Sequence, residues 1–309
     1  MLTDSGPVHV QMFSGGEGSW GSAKRVVGAH GVDRLYLYFS DTLVEDEDLY
    51  RFLIEGAANV FGVPAPQRLL DRLAGIPPME DEAARGRFLQ DLAAAAAEVL
   101  PRLVWVAEGR TPWQVFFDER FLGNSRHDPC SKILKRQLAD RWLRENCDPA
   151  QTVVYVGIDW TEEHRYTELR DRRAAVGWRY EAPLCGAPYV LKDDIRRALE
   201  AEGIASARLY ALGFSHNNCG GFCIKAGHGH FANLLRTMPA RYAYHERREQ
   251  EIREYLGRTD IAMLVDRRGG GKRRPMTLRE LRERIEAGAQ VDRHDIGGCG
   301  CFAVEEAEP

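Results

Sequence analysis

FSGGEGSW, Phe13 to Trp20, separates a short apolar run, Val8 to Phe13, from the apolar-spaced Ala23, Val26 and Val27. The spacing predicts a strand over 8–13, a tight glycine and serine turn, and a helix from Ser19 to Ala29. The same alternation recurs outward from it. Arg34 to Phe39 reads as a second strand, ending in Ser40, Asp41 and Thr42, and a helix follows from Glu47 to Phe61, closed by VPAPQ. Arg68 to Leu100 reads as an inserted helical pair. Strands are expected again at Arg102–Ala107, Thr152–Ile158 and Trp178–Ala182, with a helix opening near Pro129. Strands alternating with helices predict an α/β fold with a mostly parallel, Rossmann-like sheet.

Beyond Lys192 a short amphipathic helix is stopped by Gly203, and the pattern then turns mainly helical: 228–237, 244–256, and a last helix capped by Thr277. A short strand is read at Ile261–Asp266. This divides the chain into an α/β unit over 1–215 and a cysteine-containing helical extension over 216–309, whose glycine-flanked acidic tail reads as mobile.

The 309 residues are 44% hydrophobic and carry a formal net charge of −4, with a sequence pI near 6.2. Such a balance excludes a global attraction to polyanions or anionic membranes. Only RRGGGKRR, 267–274, is locally basic, and it reads as a solvated loop. No apolar run reaches the roughly 18 residues of a membrane span. The first residues carry an acid and no basic leader, so a cytoplasmic location is expected. Seven cysteines, an odd number, do not read as a disulfide framework there.

A glycine turn between strand and helix aims several backbone N–H groups one way, at the positive end of the helix dipole. Ser14, Gly15, Gly16, Glu17, Gly18 and Ser19 therefore predict an anion cradle suited to phosphate or pyrophosphate. The turn matches neither GxGxxG nor GxxxxGK[ST]. Asp41 ends the second strand, where it could hold a ribose, a base amino group or Mg²⁺. Lys132 and Lys135, three apart on one helix, are expected to share a face. Arg165 falls just beyond the fourth strand, at the carboxyl edge where open α/β sheets bind ligands. Cys219 and Cys223, separated by Gly-Gly-Phe, can fold back on one metal.

SGGEGS resembles the SGGxxS pyrophosphate loop of the adenine nucleotide alpha hydrolase (PP-loop ATP pyrophosphatase) superfamily. FSDT at 39–42 is similar to that superfamily's acid-containing strand end, and RLYALGFSHNNCGGFC at 208–223 resembles the cysteine block of its reductase and sulfurtransferase branches. From Val8 to Phe302, including the GGCGCF ending, the chain is similar to phosphoadenosine phosphosulfate (PAPS) reductase-like proteins carried by phages. The resemblance implies a sulfur-metabolism enzyme that binds PAPS or ATP, with a 4Fe-4S cluster on Cys130, Cys219 and Cys223. Cys185 is the nearest internal candidate for a fourth ligand. Zinc, held by the same cysteines with His216, is the alternative metal. In the reductase version Cys299 or Cys301 attacks the activated sulfate and a thiol reductant such as thioredoxin regenerates it. In the sulfurtransferase version Mg-ATP is consumed to thiolate a small molecule or a nucleic acid, the latter a substrate only. A third version is a zinc-stabilised nucleic-acid-binding module, and a homodimer is compatible with each. Gly18 stands where the commoner SGGxDS loop has its acid, a change that spares nucleotide binding more readily than ATP cleavage.

Overall fold

The computed structural model describes residues 6–266 and 273–298. Its centre is a five-stranded, all-parallel sheet: β1 (Val8–Met12), β2 (Leu35–Asp41), β3 (Leu103–Ala107), β4 (Thr152–Tyr155) and β5 (Arg179–Glu181), in the order β3-β2-β1-β4-β5. The Rossmann-like α/β architecture expected from the sequence is thus present. All five residues of β1 are buried, as a strand covered on both faces demands. In register, His9 lies between Leu35 of β2 and Val153 of β4.

The period-two alternation sorts side chains between two cores. Val8, Val10, Met12 and Tyr38 point into one, with Leu143, Val154, Leu169 and Trp178. Leu35, Leu37 and Phe39 point into the other, with Trp20, Phe52, Leu53, Leu92 and Leu199. The helices that cover these faces are α1 (Glu17–His30), α2 (Glu47–Val60), α3 (Gln67–Arg72), α4 (Glu82–Val99) and, further on, α7 (Leu138–Asn146), α8 (Glu163–Ala175) and α9 (Lys192–Ala201). Asp46 caps α2 by accepting from the Asp48 N–H at 3.0 Å.

Between β3 and α7 the chain adds α5 (Pro112–Asp118), which the sequence reading missed. TPWQ makes a capping box there, Thr111 and Gln114 bonding reciprocally. The helix expected from Pro129 is broken into α6 (Pro129–Ser131), a π-helical turn (Lys132–Gln137) and α7.

A third core joins Trp113 and Phe116 of α5 to the later segments α10 (Arg208–Ala211), α11 (His228–Thr237), α12 (Pro239–Leu256) and α13 (Leu278–Glu286). Thr277 caps α13, as expected. The expected strand over 261–266 is the three-residue β6 (Leu264–Asp266), paired antiparallel to β7 (Arg274–Met276), which the sequence reading missed. Among the described residues no helix is long and apolar enough to cross a membrane.

Candidate functional site

From β1 the chain steps outward to β2 and β3, then returns to the other side of β1 as β4. Strand order therefore reverses between β1 and β4, and the crevice beyond their carboxyl ends is where such sheets bind ligands. A cleft of about 580 Å³ lies there, walled by Met12 to Ser19 on one side and by Val156, Gly157 and Ile158 on the other.

The glycine turn forms its floor. Gly15 has φ +73°, and α1 starts at Glu17 after an extended Gly16 that offers no side-chain cap. Ser14, Gly16, Glu17, Gly18 and Ser19 all line the cleft. Gly18 and Gly157 touch backbone to backbone: a Cβ on Gly18 would lie 2.9 Å from the Gly157 carbonyl oxygen, and one on Gly157 2.7 Å from the Ser19 nitrogen. The departure from SGGxDS thus has a packing reason here.

Several polar groups of the turn are engaged within the protein. Ser19 Oγ donates to the Gly16 carbonyl at 2.8 Å. The buried Glu17 carboxylate accepts from Arg196 Nε at 3.0 and 3.1 Å and from Ser206 Oγ, so it faces a cation already supplied. The Glu17 N–H donates to the Tyr210 hydroxyl over a long 3.3 Å. Asn217 Nδ2 donates to the Gly15 carbonyl at 2.8 Å.

Cations enter the cleft from four segments. Lys135 comes from the π-helical turn, Arg165 from α8, where it pairs with Glu162, and Lys192 from the start of α9. Lys225 completes the set. The acids Asp159, Glu162 and Glu168 line the cleft on the same segment as Arg165, and Ile296, Gly297 and Gly298 line it too. That last strand of chain is pinned to the 226–229 loop by Gly227 N–H to Ile296 O (3.1 Å) and Gly229 N–H to Asp295 O (2.8 Å).

A second, smaller cavity of about 20 Å³ adjoins the first, bounded by Cys130, Cys219 and Cys223 with Thr42 and Asp128. Lys135 and Lys225 line both cavities. Lys135 is buried, its Nζ 3.8 Å from Cys219 Sγ and 3.7 Å from Glu45 Oε1. Lys225 lies 3.6 Å from the Asp128 carboxylate. The cysteine loop is tightly wound: Cys219, Gly220 and Gly221 all have positive φ, at 54°, 58° and 80°. Three cysteines line this one space, and thiolates are the donor type that iron–sulfur clusters and zinc take. They do not form a ready ligand cage, for among the described residues no group of three or more His, Cys, Asp or Glu is arranged to hold a metal ion.

Other expected residues fall elsewhere. Asp41 does not line the cleft; it is buried and receives hydrogen bonds from Leu43 N–H (2.7 Å), Tyr50 OH (3.0 Å) and Trp105 Nε1 (3.0 Å). Burial, and then the nearby Glu45, push its carboxyl up to about 6. Lys132 is exposed and absent from the cleft wall, although Lys135 three residues on is buried within it. The wider i→i+5 turn between them separates positions that an α-helix would align. His216 lines the large cleft and not the thiol cavity. Burial first, then His230, hold it neutral, down to about 3, and its Nδ1 accepts from the Asn218 N–H at 3.3 Å. Cys185 packs beside the β4–β5 core and donates to the Ile158 carbonyl, with burial raising its thiol to about 11. Cys299, Cys301 and the 267–272 part of the basic loop lie outside the described residues.

Asn217, Tyr210, Lys225 and Glu45 were not singled out by the sequence reading. Asn217 and Tyr210 stand within the 208–223 block, yet nothing in their spacing announces that they reach back some 200 residues to the turn. Compared with known proteins, the chain matches no family model and no curated protein.

Proposed function

We propose that this protein is an adenine-nucleotide-binding enzyme of sulfur metabolism, similar in its chemistry to PAPS reductases. The observation that carries the reading is the shared wall: Lys135 and Lys225 belong both to the cleft above the glycine turn and to the cavity of Cys130, Cys219 and Cys223. An anion held at the turn would have its charge met by Lys135, Lys192, Lys225 and Arg165, and would sit beside sulfur ligands. A 4Fe-4S cluster on those three cysteines would supply an electron-rich, thiolate-anchored centre next to the activated sulfur.

In this reading a thiolate of Cys299 or Cys301 attacks the sulfur of the bound phosphosulfate anhydride. An S–S bond forms, the S–O bond to the nucleotide breaks, and adenosine bisphosphate leaves. A dithiol such as thioredoxin then reduces the adduct, releasing sulfite. The chain at Gly298 lies in the cleft wall, one residue before Cys299, which supports that assignment.

Anaerobically purified protein is expected to contain iron and acid-labile sulfide and to release sulfite from PAPS in the presence of a dithiol. Protein carrying zinc without sulfide, and inert toward PAPS, overturns the reading. The acids Asp159, Glu162 and Glu168 in the same cleft favour a second reading, an ATP-dependent sulfurtransferase using Mg²⁺. Release of AMP and pyrophosphate from ATP, without sulfite from PAPS, would select it.

A further inference from the structure

Asn217 does two things with one amide. Its side chain is buried and belongs to the wall of the large cleft. Nδ2 donates to the Gly15 carbonyl at 2.8 Å. A carbonyl oxygen can only accept, so this bond fixes which end of the amide is which. Oδ1 is therefore the remaining acceptor, and it has no hydrogen-bond partner among the described residues. Buried acceptors are nearly always paired, and one left open beside a ligand cleft calls for a donor from outside the chain.

We propose that Asn217 is a specificity-determining residue that reads a ribose hydroxyl of the bound nucleotide. The inference rests on the nucleotide reading above and adds the group recognised. The amide is bonded to the turn that would hold the phosphates, and the donors of a nucleotide nearest its phosphates are the sugar hydroxyls, with the base amino group further off. A site built to hydrogen-bond a hydroxyl discriminates strongly against an analogue that lacks it, because its own polar group is then left unpaired. Asn217 also stands two residues before Cys219. The same contact thereby registers the sugar against the thiol loop.

The test is calorimetric titration of the anaerobically purified full chain with ATP, 2′-deoxy-ATP and 3′-deoxy-ATP. Wild type is expected to bind ATP about tenfold more tightly than one of the two deoxy analogues. Asn217→Ala is expected to weaken ATP and bring that ratio to about one, which a purely structural loss would not do, since it would weaken all three alike. Asn217→Asp keeps an acceptor but turns an oxygen toward the Gly15 carbonyl, and is expected to weaken all three ligands while retaining discrimination. Equal binding of the three ligands to wild type, or a ratio unchanged in Asn217→Ala, overturns the inference and leaves nucleotide binding standing. Failure of the folded wild type to bind any of them, or PAPS titrated alongside, overturns the nucleotide reading itself, and this inference with it.

Discussion

The glycine turn at Gly15 to Ser19 and the thiol loop at Cys219 to Cys223 are both glycine-rich, both left-handed in part, and they face each other across Lys135 and Lys225. They are built by different means. The turn is shaped by main chain: Gly18 against Gly157, with α1 starting directly from it. The thiol side also draws on side chains that arrive from distant segments, with Lys135 beside the Cys219 sulfur and Glu45 beside Lys135. Main chain crowds both, since a Cβ on Gly220 would meet the Val44 carbonyl oxygen as one on Gly18 would meet that of Gly157, but only the thiol side adds a buried lysine and carboxylate beside it.

The first half of that contrast breaks most visibly by adding one carbon. Gly18→Ala places a Cβ 2.9 Å from backbone, which has no flexible end to swing away, and is expected to destabilise by about 3 kcal/mol in urea unfolding. On the proposed reading, nucleotide affinity should fall with it. Gly28, on the same helix, has nothing within 4 Å of the corresponding position, so Gly28→Ala is expected to stabilise by up to about 1 kcal/mol on helix propensity alone. Two substitutions of the same kind, ten residues apart, should thus have opposite signs. If both are neutral, close backbone approach does not shape the turn.

The second half is sharpened by pH. Asp41 ends β2 beside Glu45, and burial followed by that neighbour raises its carboxyl from 3.8 to about 6. A raised acid binds more protons folded than unfolded, so its stabilising share is complete below about pH 4 and is lost as pH climbs through 6. The difference amounts to about 3 kcal/mol. Unfolding followed between pH 4 and 6.5 should therefore show a component that falls with rising pH and is absent in Asp41→Asn. A variant with the wild-type slope would remove Asp41 from this role.

These effects also explain what could be read from the sequence. The sheet and the turn were legible because their determinants are local: the apolar run at 8–13, glycine where a strand must hand over to a helix, and Thr277 before the last helix. That Arg165 and Lys135 line the cleft was legible for a similar reason, since a strand's carboxyl edge and a helix after Pro129 can be located by pattern. Lys132 was misplaced because a π-helical turn is not encoded in spacing. Asp41 was misplaced because a carboxylate at a strand end looks the same whether it meets solvent or, as here, Tyr50 and Trp105. Asn217 and Tyr210 were invisible, their partners being about 200 positions away and main-chain groups besides.

The smallest effect asks why a cysteine and not a third glycine begins the thiol loop. Cys219 holds φ +54°, a conformation in which a side chain's Cβ crowds the following carbonyl at about 1–2 kcal/mol. Gly220, next to it, takes φ 58° without that penalty and leaves no room for a Cβ, since one would fall 2.5 Å from the Val44 carbonyl oxygen. If the loop tolerates strain at 219 solely for the sulfur, Cys219→Gly should be more stable than Cys219→Ala by about 0.5–1 kcal/mol, the relief being partly offset by glycine's greater freedom when unfolded. On the proposed cluster reading, both variants should lose iron and sulfide equally in anaerobic preparations. A Cys219→Gly protein no more stable than Cys219→Ala would mean that the left-handed turn is set by Gly220 and Gly221 without strain at 219. The thiol would then be a passenger of the loop and not the reason for its shape.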